Sequence, residues 1–121
     1  MTIALKMENR GIYLAFEFSG EFSVSAGAKC IDAMMAACAE HKCRRALFDC
    51  RKMTGTMSVM ERLQVVAYAQ KTRGIIDRIA IIAREDQVLP DKFTENVGVN
   101  RGIGLRIVTV AGQAISWLEE Q

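Results

Sequence analysis

Proline, histidine and tryptophan each occur once in 121 residues, and each scarcity closes off a class of protein. One proline with 9 glycines leaves no tract to act as a linker, so residues 1–121 read as a single domain. Neither sign of charge dominates. The 16 basic and 14 acidic side chains leave a net charge of +2, which gives no electrostatic case for nucleic acid. No apolar run reaches the roughly 18 residues a membrane helix needs, and the strongest, Ile79 to Ala83, is strand-sized. The first residues carry no basic leader followed by a long apolar stretch, so the expected location is the cytoplasm.

The four cysteines contain no CxxC pair. Cys30, Cys38, Cys43 and Cys50 are spaced by 8, 5 and 7, and His41 is the only histidine. A tetrahedral zinc site shows two close ligand pairs, so neither a metal nor any other cofactor is expected. Cys30 and Cys38 read as small apolar fillers on a helix and Cys50 as the end of a buried strand, all reduced. No nucleophile–histidine pair and no complete phosphate loop is present, and the chain reads as non-enzymatic.

What is present is 50% hydrophobic and 25% charged, the balance of a globular domain with a real core. Residues 2–8 alternate Ile3, Leu5, Met7 against Thr2, Lys6, Glu8, and residues 12–18 alternate Ile12, Leu14, Phe16, Phe18 against Tyr13, Glu17. That period of two marks two strands joined through Asn9-Arg10-Gly11, an antiparallel hairpin expected at the sheet edge. Residues 25–41 are alanine-rich with Ile31, Met34 and Met35 at helical spacing, which predicts a helix. His41 and Lys42 follow near its C-terminus, where positive charge suits the dipole.

Residues 44–50 read as a strand and 51–57 as a loop. Ser58-Val59-Met60-Glu61 has the form of a capping box, with Leu63, Val66 and Ala67 continuing the stripe and Gly74 ending the helix. Residues 78–83 lack polar alternation and predict a strand covered on both faces. Pro90 and Asp91 suit the first turn of a third helix that carries Phe93 and Val97 inward and stops near Gly102. Gly102-Ile103-Gly104 precedes a strand, so it is a tight connection and no dinucleotide fingerprint. A last strand spans 105–110. A final helix spans 111–119, with Ala114, Ile115, Trp117 and Leu118 on its buried side. The predicted class is α/β, in the order β-β-α-β-α-β-α-β-α, with a mixed five-stranded sheet and right-handed crossovers.

Asp49 to Ser58 leaves the carboxyl end of a parallel strand and enters a helix N-terminus. Free N–H groups and the helix dipole favour an anion there, and Arg51 and Lys52 add positive charge. Two readings stand side by side. In one, Gly55 makes the turn, Ser58 caps, Asp49 bonds the following turn and the cations are solvated. In the other, Asp49, Arg51, Lys52, Thr54, Gly55, Thr56, Met57 and Ser58 form a binding or switch surface extended by Val59, Met60 and Arg62. Met57 and Met60 flank the helix start, where an exposed apolar side chain marks a docking position.

Residues 45–118 resemble the SpoIIAA-like family of small bacterial domains, which includes STAS regulators. The stretches that carry the likeness are Leu47-Phe48-Asp49, Met53-Thr54-Gly55, Ile79-Ala80-Ile81-Ile82, Phe93 to Val97 with Asn100-Arg101-Gly102, Arg106-Ile107-Val108 and Ala114 to Leu118. The resemblance implies a β/α superhelical sheet and a regulatory, protein-binding role. In the sigma-regulator branch a partner kinase phosphorylates a serine or threonine at this loop, within a pattern of aspartate, Ser/Thr, Ser and Gly. Here Met53-Thr54-Gly55 stands in that place without the aspartate, which makes Thr54 the candidate acceptor and Thr56 and Ser58 lesser ones. More remote lipid-carrying relatives imply an alternative, a small-molecule or lipid-binding module of SEC14-like type, taking a small apolar or anionic ligand in a cavity of roughly 300 Å³ or more. The partner is then a protein, a second copy in a homodimer, or such a ligand.

Overall fold

In the computed structural model, which describes residues 4–120, β1 (Ala4–Asn9) and β2 (Leu14–Glu21) pair antiparallel, with Lys6 opposite Glu17 and Asn9 opposite Leu14. Thr2 and Ile3 of the first predicted strand fall outside the described residues. Gly11, at φ +83°, makes the hairpin bend. Then follow α1 (Val24–Glu40), β3 (Arg45–Thr54), α2 (Val59–Ala69), β4 (Arg78–Ile82), α3 (Phe93–Asn100), β5 (Leu105–Val108) and α4 (Ala111–Glu119). The sheet order is β1-β2-β3-β4-β5, with β2 to β5 parallel. The order of elements is the expected one, with the hairpin's β1 at one edge, β3 central and β5 at the other edge.

Side-chain parity divides the core between the two faces. Leu14, Phe16 and Phe18 of β2, Ala46 and Phe48 of β3 and Ile79 of β4 turn toward α1 and α2, where Cys30, Met34, Cys38 and Val66 meet them. Tyr13, Leu47, Ala80 and Ile82 turn the other way onto Ala114 and Leu118 of α4. Full burial of each large side chain stabilises by about 1.5–3 kcal/mol. β4 is therefore covered on both faces, as its unbroken apolar run demands. Cys30 and Cys38 are the small interior fillers expected of them.

Short polar devices fix the helices. Ser23 caps α1 by accepting from the Ala26 N–H at 3.0 Å. Arg45 and Arg78 donate to the last carbonyls of α4, Arg78 Nη1 reaching Trp117 O at 2.6 Å and Arg45 Nη1 reaching Glu120 O at 2.6 Å. At Gly104 a Cβ would lie 2.0 Å from the Asp77 carbonyl oxygen, so this connection into β5 excludes any side chain.

Several local expectations are overturned. Ile12 is 54% exposed, while Tyr13, expected on the wet face, is buried because α4 covers that side. Ala67 faces solvent, and the inward stripe of α2 runs through Val65, Val66 and Ala69. Phe93 is 39% exposed. Pro90 opens a separate 3₁₀ turn, Pro90–Lys92, in which Asp91 and Lys92 take left-handed φ of +58° and +54°, so α3 starts only at Phe93. The last strand stops at Val108.

Candidate functional site

The strand that was expected to end at Cys50 runs on to Thr54, which corrects the reading of 51–54 as loop. The reason is a bulge. β2 advances from Glu17 to Ser19 while β3 advances from Asp49 to Lys52, an extra residue on β3. Parity flips there, so Met53 points inward and is buried while Lys52 stays out. β4 stops at Ile82, and the carbonyls of this distal half of β3 find other donors. Gln87 Nε2 bonds Cys50 O at 3.0 Å, and Arg84 Nη1 bonds Arg51 O and, at 3.1 Å, Met53 O.

The two cations of the segment are paired. Arg51 grips Asp49 bidentately, Nε to Oδ1 at 3.0 Å and Nη2 to Oδ2 at 2.8 Å, while the Arg51 N–H also donates to Oδ1 at 3.0 Å. The Arg51 guanidinium thereby holds the Asp49 carboxyl below its ordinary range. Lys52 Nζ meets Glu17 Oε1 at 3.0 Å. The capping box is complete: Ser58 Oγ accepts from Glu61 N at 3.1 Å, and Glu61 Oε1 accepts from Ser58 N at 2.9 Å. A carboxylate thus already sits at the positive end of α2. Arg51 and Lys52, read from the sequence either as positive charge beside an anion position or as solvated cations, are each paired with a carboxylate.

What the segment presents instead is an exposed bend with apolar neighbours. Thr54 ends β3, exposed, and its carbonyl accepts from Phe22 N at 2.9 Å. Gly55, at φ +89°, turns the chain, and a Cβ there would lie 3.4 Å from Glu21 Cγ. Thr56 and Ser58 are exposed, Met57 packs against the core, and Val59 and Met60 stand 48% and 64% exposed in the first turn of α2. Arg62 turns inward from the same turn, donating Nη1 to Gln87 O at 2.6 Å and Nε to Met57 O at 3.4 Å. Burial pushes its guanidinium down from its ordinary value.

Beneath this bend lies a cavity of about 180 Å³ between the sheet and the helices α1, α2 and α3. Phe18, Phe48, Met34, Met53, Val66 and Ile81 supply much of its wall. Arg62, Gln87 and Thr94 also line it, together with Ile107 they line an adjoining smaller recess, and the Thr94 hydroxyl is buried without a hydrogen-bond partner. Cys30 and Cys50 face the same space, their thiols pushed by burial up to about 11 and about 12, which favours the protonated form. Arg84, Gln87 and Thr94 carry no local motif. Arg62 does have a readable signal, since with Val65, Val66 and Ala69 it recurs at helical spacing on the buried side of α2. Among the described residues no cluster of three metal-ligating side chains occurs, and no helix is long and apolar enough to cross a membrane.

No protein-family model matches the sequence, and no curated protein matches it significantly. Among solved structures, an anti-sigma factor antagonist from Mycobacterium paratuberculosis is similar over 98% of this chain and 96% of its own, at 15% identity and a TM-score of 0.66. An uncharacterised DUF3478-family protein with a SpoIIAA-like fold, from Shewanella loihica PV-4, is similar over 96% of this chain and 93% of its own, at 21% identity and a TM-score of 0.61. Both structures match along nearly the whole chain, whose mixed five-stranded sheet and N-terminal hairpin are consistent with them, and the protein has the SpoIIAA-like fold.

Proposed function

We propose that this domain is a non-enzymatic STAS-type regulator that binds a protein partner in the cytoplasm through the Gly55 bend and the first turn of α2. The observation that carries the reading is the exposure of Val59 and Met60, at 48% and 64%, beside the exposed hydroxyls of Thr54, Thr56 and Ser58. Neither side chain belongs to a core cluster, and of the exposed large apolar residues these two stand next to each other beside the bend, which supports a contact surface there. The likeness to an anti-sigma factor antagonist supports the same role.

Thr54 is the candidate switch. A phosphate there adds a charge of about −2 across from Glu21, its partner in the β2–β3 register. With Arg51 and Lys52 already paired, that charge acts by repelling an acidic or apolar partner surface. The test is quantitative affinity capture with the wild type, a Val59→Ser/Met60→Ser double variant and Thr54→Asp. A partner held by the wild type and lost from both variants, each still folded, supports the reading. Equal recovery by all three overturns it. Light scattering shows whether the partner is a second copy.

A second reading, a module for a small apolar ligand, is favoured by the cavity. At about 180 Å³ it is too small for a two-chain lipid, and it falls short of the roughly 300 Å³ of an ordinary ligand site. It exceeds the roughly 150 Å³ that accepts benzene.

A further inference from the structure

The cavity wall is apolar except at one end, where three polar side chains meet it: Arg62, Gln87 and Thr94. Gln87 is spent, its carbonyl and its amide engaged by Arg62 and Cys50. Arg62 and Thr94 are not. The Arg62 guanidinium has five N–H donors, of which the described residues engage Nε and one on Nη1. No carboxylate among the described residues forms an ion pair with it. A half-buried cation without a counter-ion is costly, and a buried hydroxyl without a partner adds to that cost.

The adjoining recess shares Arg62, Gln87, Thr94 and Ile107 with the cavity and adds Lys92 and Glu95. Glu95 brings a carboxylate to the recess, but its Oε1 accepts from Ile107 N at 2.7 Å and it makes no ion pair with Arg62. The N-cap of α3 is Lys92, which supplies no side-chain acceptor, so that helix also starts at the recess without a cap. An apolar chamber thus opens on a recess that holds two cations, Arg62 and Lys92, against the one carboxylate of Glu95, with an unsatisfied hydroxyl at Thr94.

We propose that the cavity is a site for a small carboxylate-bearing amphiphile, its tail among Phe18, Phe48 and Ile81 and its carboxylate on Arg62 and the Thr94 hydroxyl. The proposal rests on the second reading above, that the cavity takes a small apolar molecule. The volume sets the tail at about six to eight carbons, slightly more than the benzene-sized guest of a 150 Å³ cavity. A carboxylate supplies the acceptor that both Arg62 and Thr94 lack, and charge-assisted bonds of this kind outweigh neutral ones.

The test is calorimetric titration of the full chain with octanoate, with 1-octanol as the uncharged probe of equal length and palmitate as the overlong one. Octanoate is expected to bind at least tenfold more tightly than 1-octanol, and palmitate to bind more weakly than octanoate. Arg62→Gln is expected to remove the preference for octanoate over 1-octanol. Thr94→Val, which keeps the shape and removes the hydroxyl, should weaken octanoate about fivefold. If 1-octanol binds as tightly as octanoate to the wild type, the carboxylate assignment is wrong and the cavity reading stands. If neither binds, the cavity reading falls with it. Circular dichroism of each variant confirms the fold, and the wild-type comparison decides the matter even where Arg62→Gln does not fold.

Discussion

Arg62 Nη1 donates to the carbonyl oxygen of Gln87 at 2.6 Å, and Gln87 Nε2 donates onward to the carbonyl oxygen of Cys50 at 3.0 Å. This relay joins the first turn of α2, the 3₁₀ turn Glu85–Gln87 after β4, and the half of β3 that outruns β4. The Gly55 bend lies between β3 and α2, and the relay ties both of these elements to the Glu85–Gln87 turn.

Removing the first donor should therefore cost stability across the whole region. Arg62→Met leaves the carbonyls of Gln87 and Met57 without their donors and should lower unfolding free energy by about 1–3 kcal/mol. Arg62→Lys should recover part of it. Urea midpoints at constant slope measure both, and a midpoint unchanged in Arg62→Met contradicts the relay.

Two glycine-to-alanine changes should have opposite signs. At Gly104 a Cβ would lie 2.0 Å from backbone oxygen of Asp77, so Gly104→Ala must displace the start of β4 or β5 and should destabilise by about 3 kcal/mol or more. At Gly112, within α4, a Cβ meets nothing within 4 Å, and Gly112→Ala should stabilise by about 0.5–1 kcal/mol. Thermal melts of the two variants check the pair.

Much of the fold is legible in the sequence because it depends on local periodicity. The hairpin, the alanine-rich α1 and the doubly covered β4 follow from which residues alternate and which do not. Tyr13 and Ile12 were not legible, because alternation says that faces differ and cannot say that α4 covers the second one. The end of β3 was hidden by the bulge, which shifts the period between Asp49 and Lys52 and makes a strand look like a loop. Phe93 was misplaced because two left-handed residues, Asp91 and Lys92, delay the start of α3. Within the candidate site the Gly55 turn and the Ser58 cap were readable from residue type. The partners that neutralise Arg51 and Lys52 were only partly so, since Glu17 comes from a different strand. The cavity was not readable at all, because it is volume left unfilled by side chains from several elements.

The Asp49–Arg51 pair should give the acid limb of stability a measurable share. The folded Asp49 carboxyl titrates below its ordinary 3.8, so its contribution is present above that value and is lost as pH falls through the lower folded one. Asp49→Asn should be less stable than the wild type near neutrality, and the gap should close as pH drops below about 4. Urea midpoints between neutrality and strong acid follow it, and a gap constant with pH would rule the linkage out.

Thiol labelling should separate the cysteines. Burial pushes Cys30 and Cys38 up to about 11 and Cys50 up to about 12; Cys30 and Cys38 are buried, whereas Cys43 and Cys50 are both partly exposed. Native protein at mildly alkaline pH should label first at Cys43, with Cys50 slower and the buried Cys30 and Cys38 reacting only on unfolding. Mass spectrometry of the adducts reads the order directly, and early modification of Cys30 would show that the cavity wall opens.

Hydrogen exchange of the domain with and without its captured protein partner bears most closely on where that partner docks. Binding through the bend and the start of α2 should slow exchange of the backbone amides over residues 55–62, and the Val59→Ser/Met60→Ser variant should show no such slowing. Protection confined to β1 or α4, with residues 55–62 exchanging as in the free domain, would contradict the proposed surface.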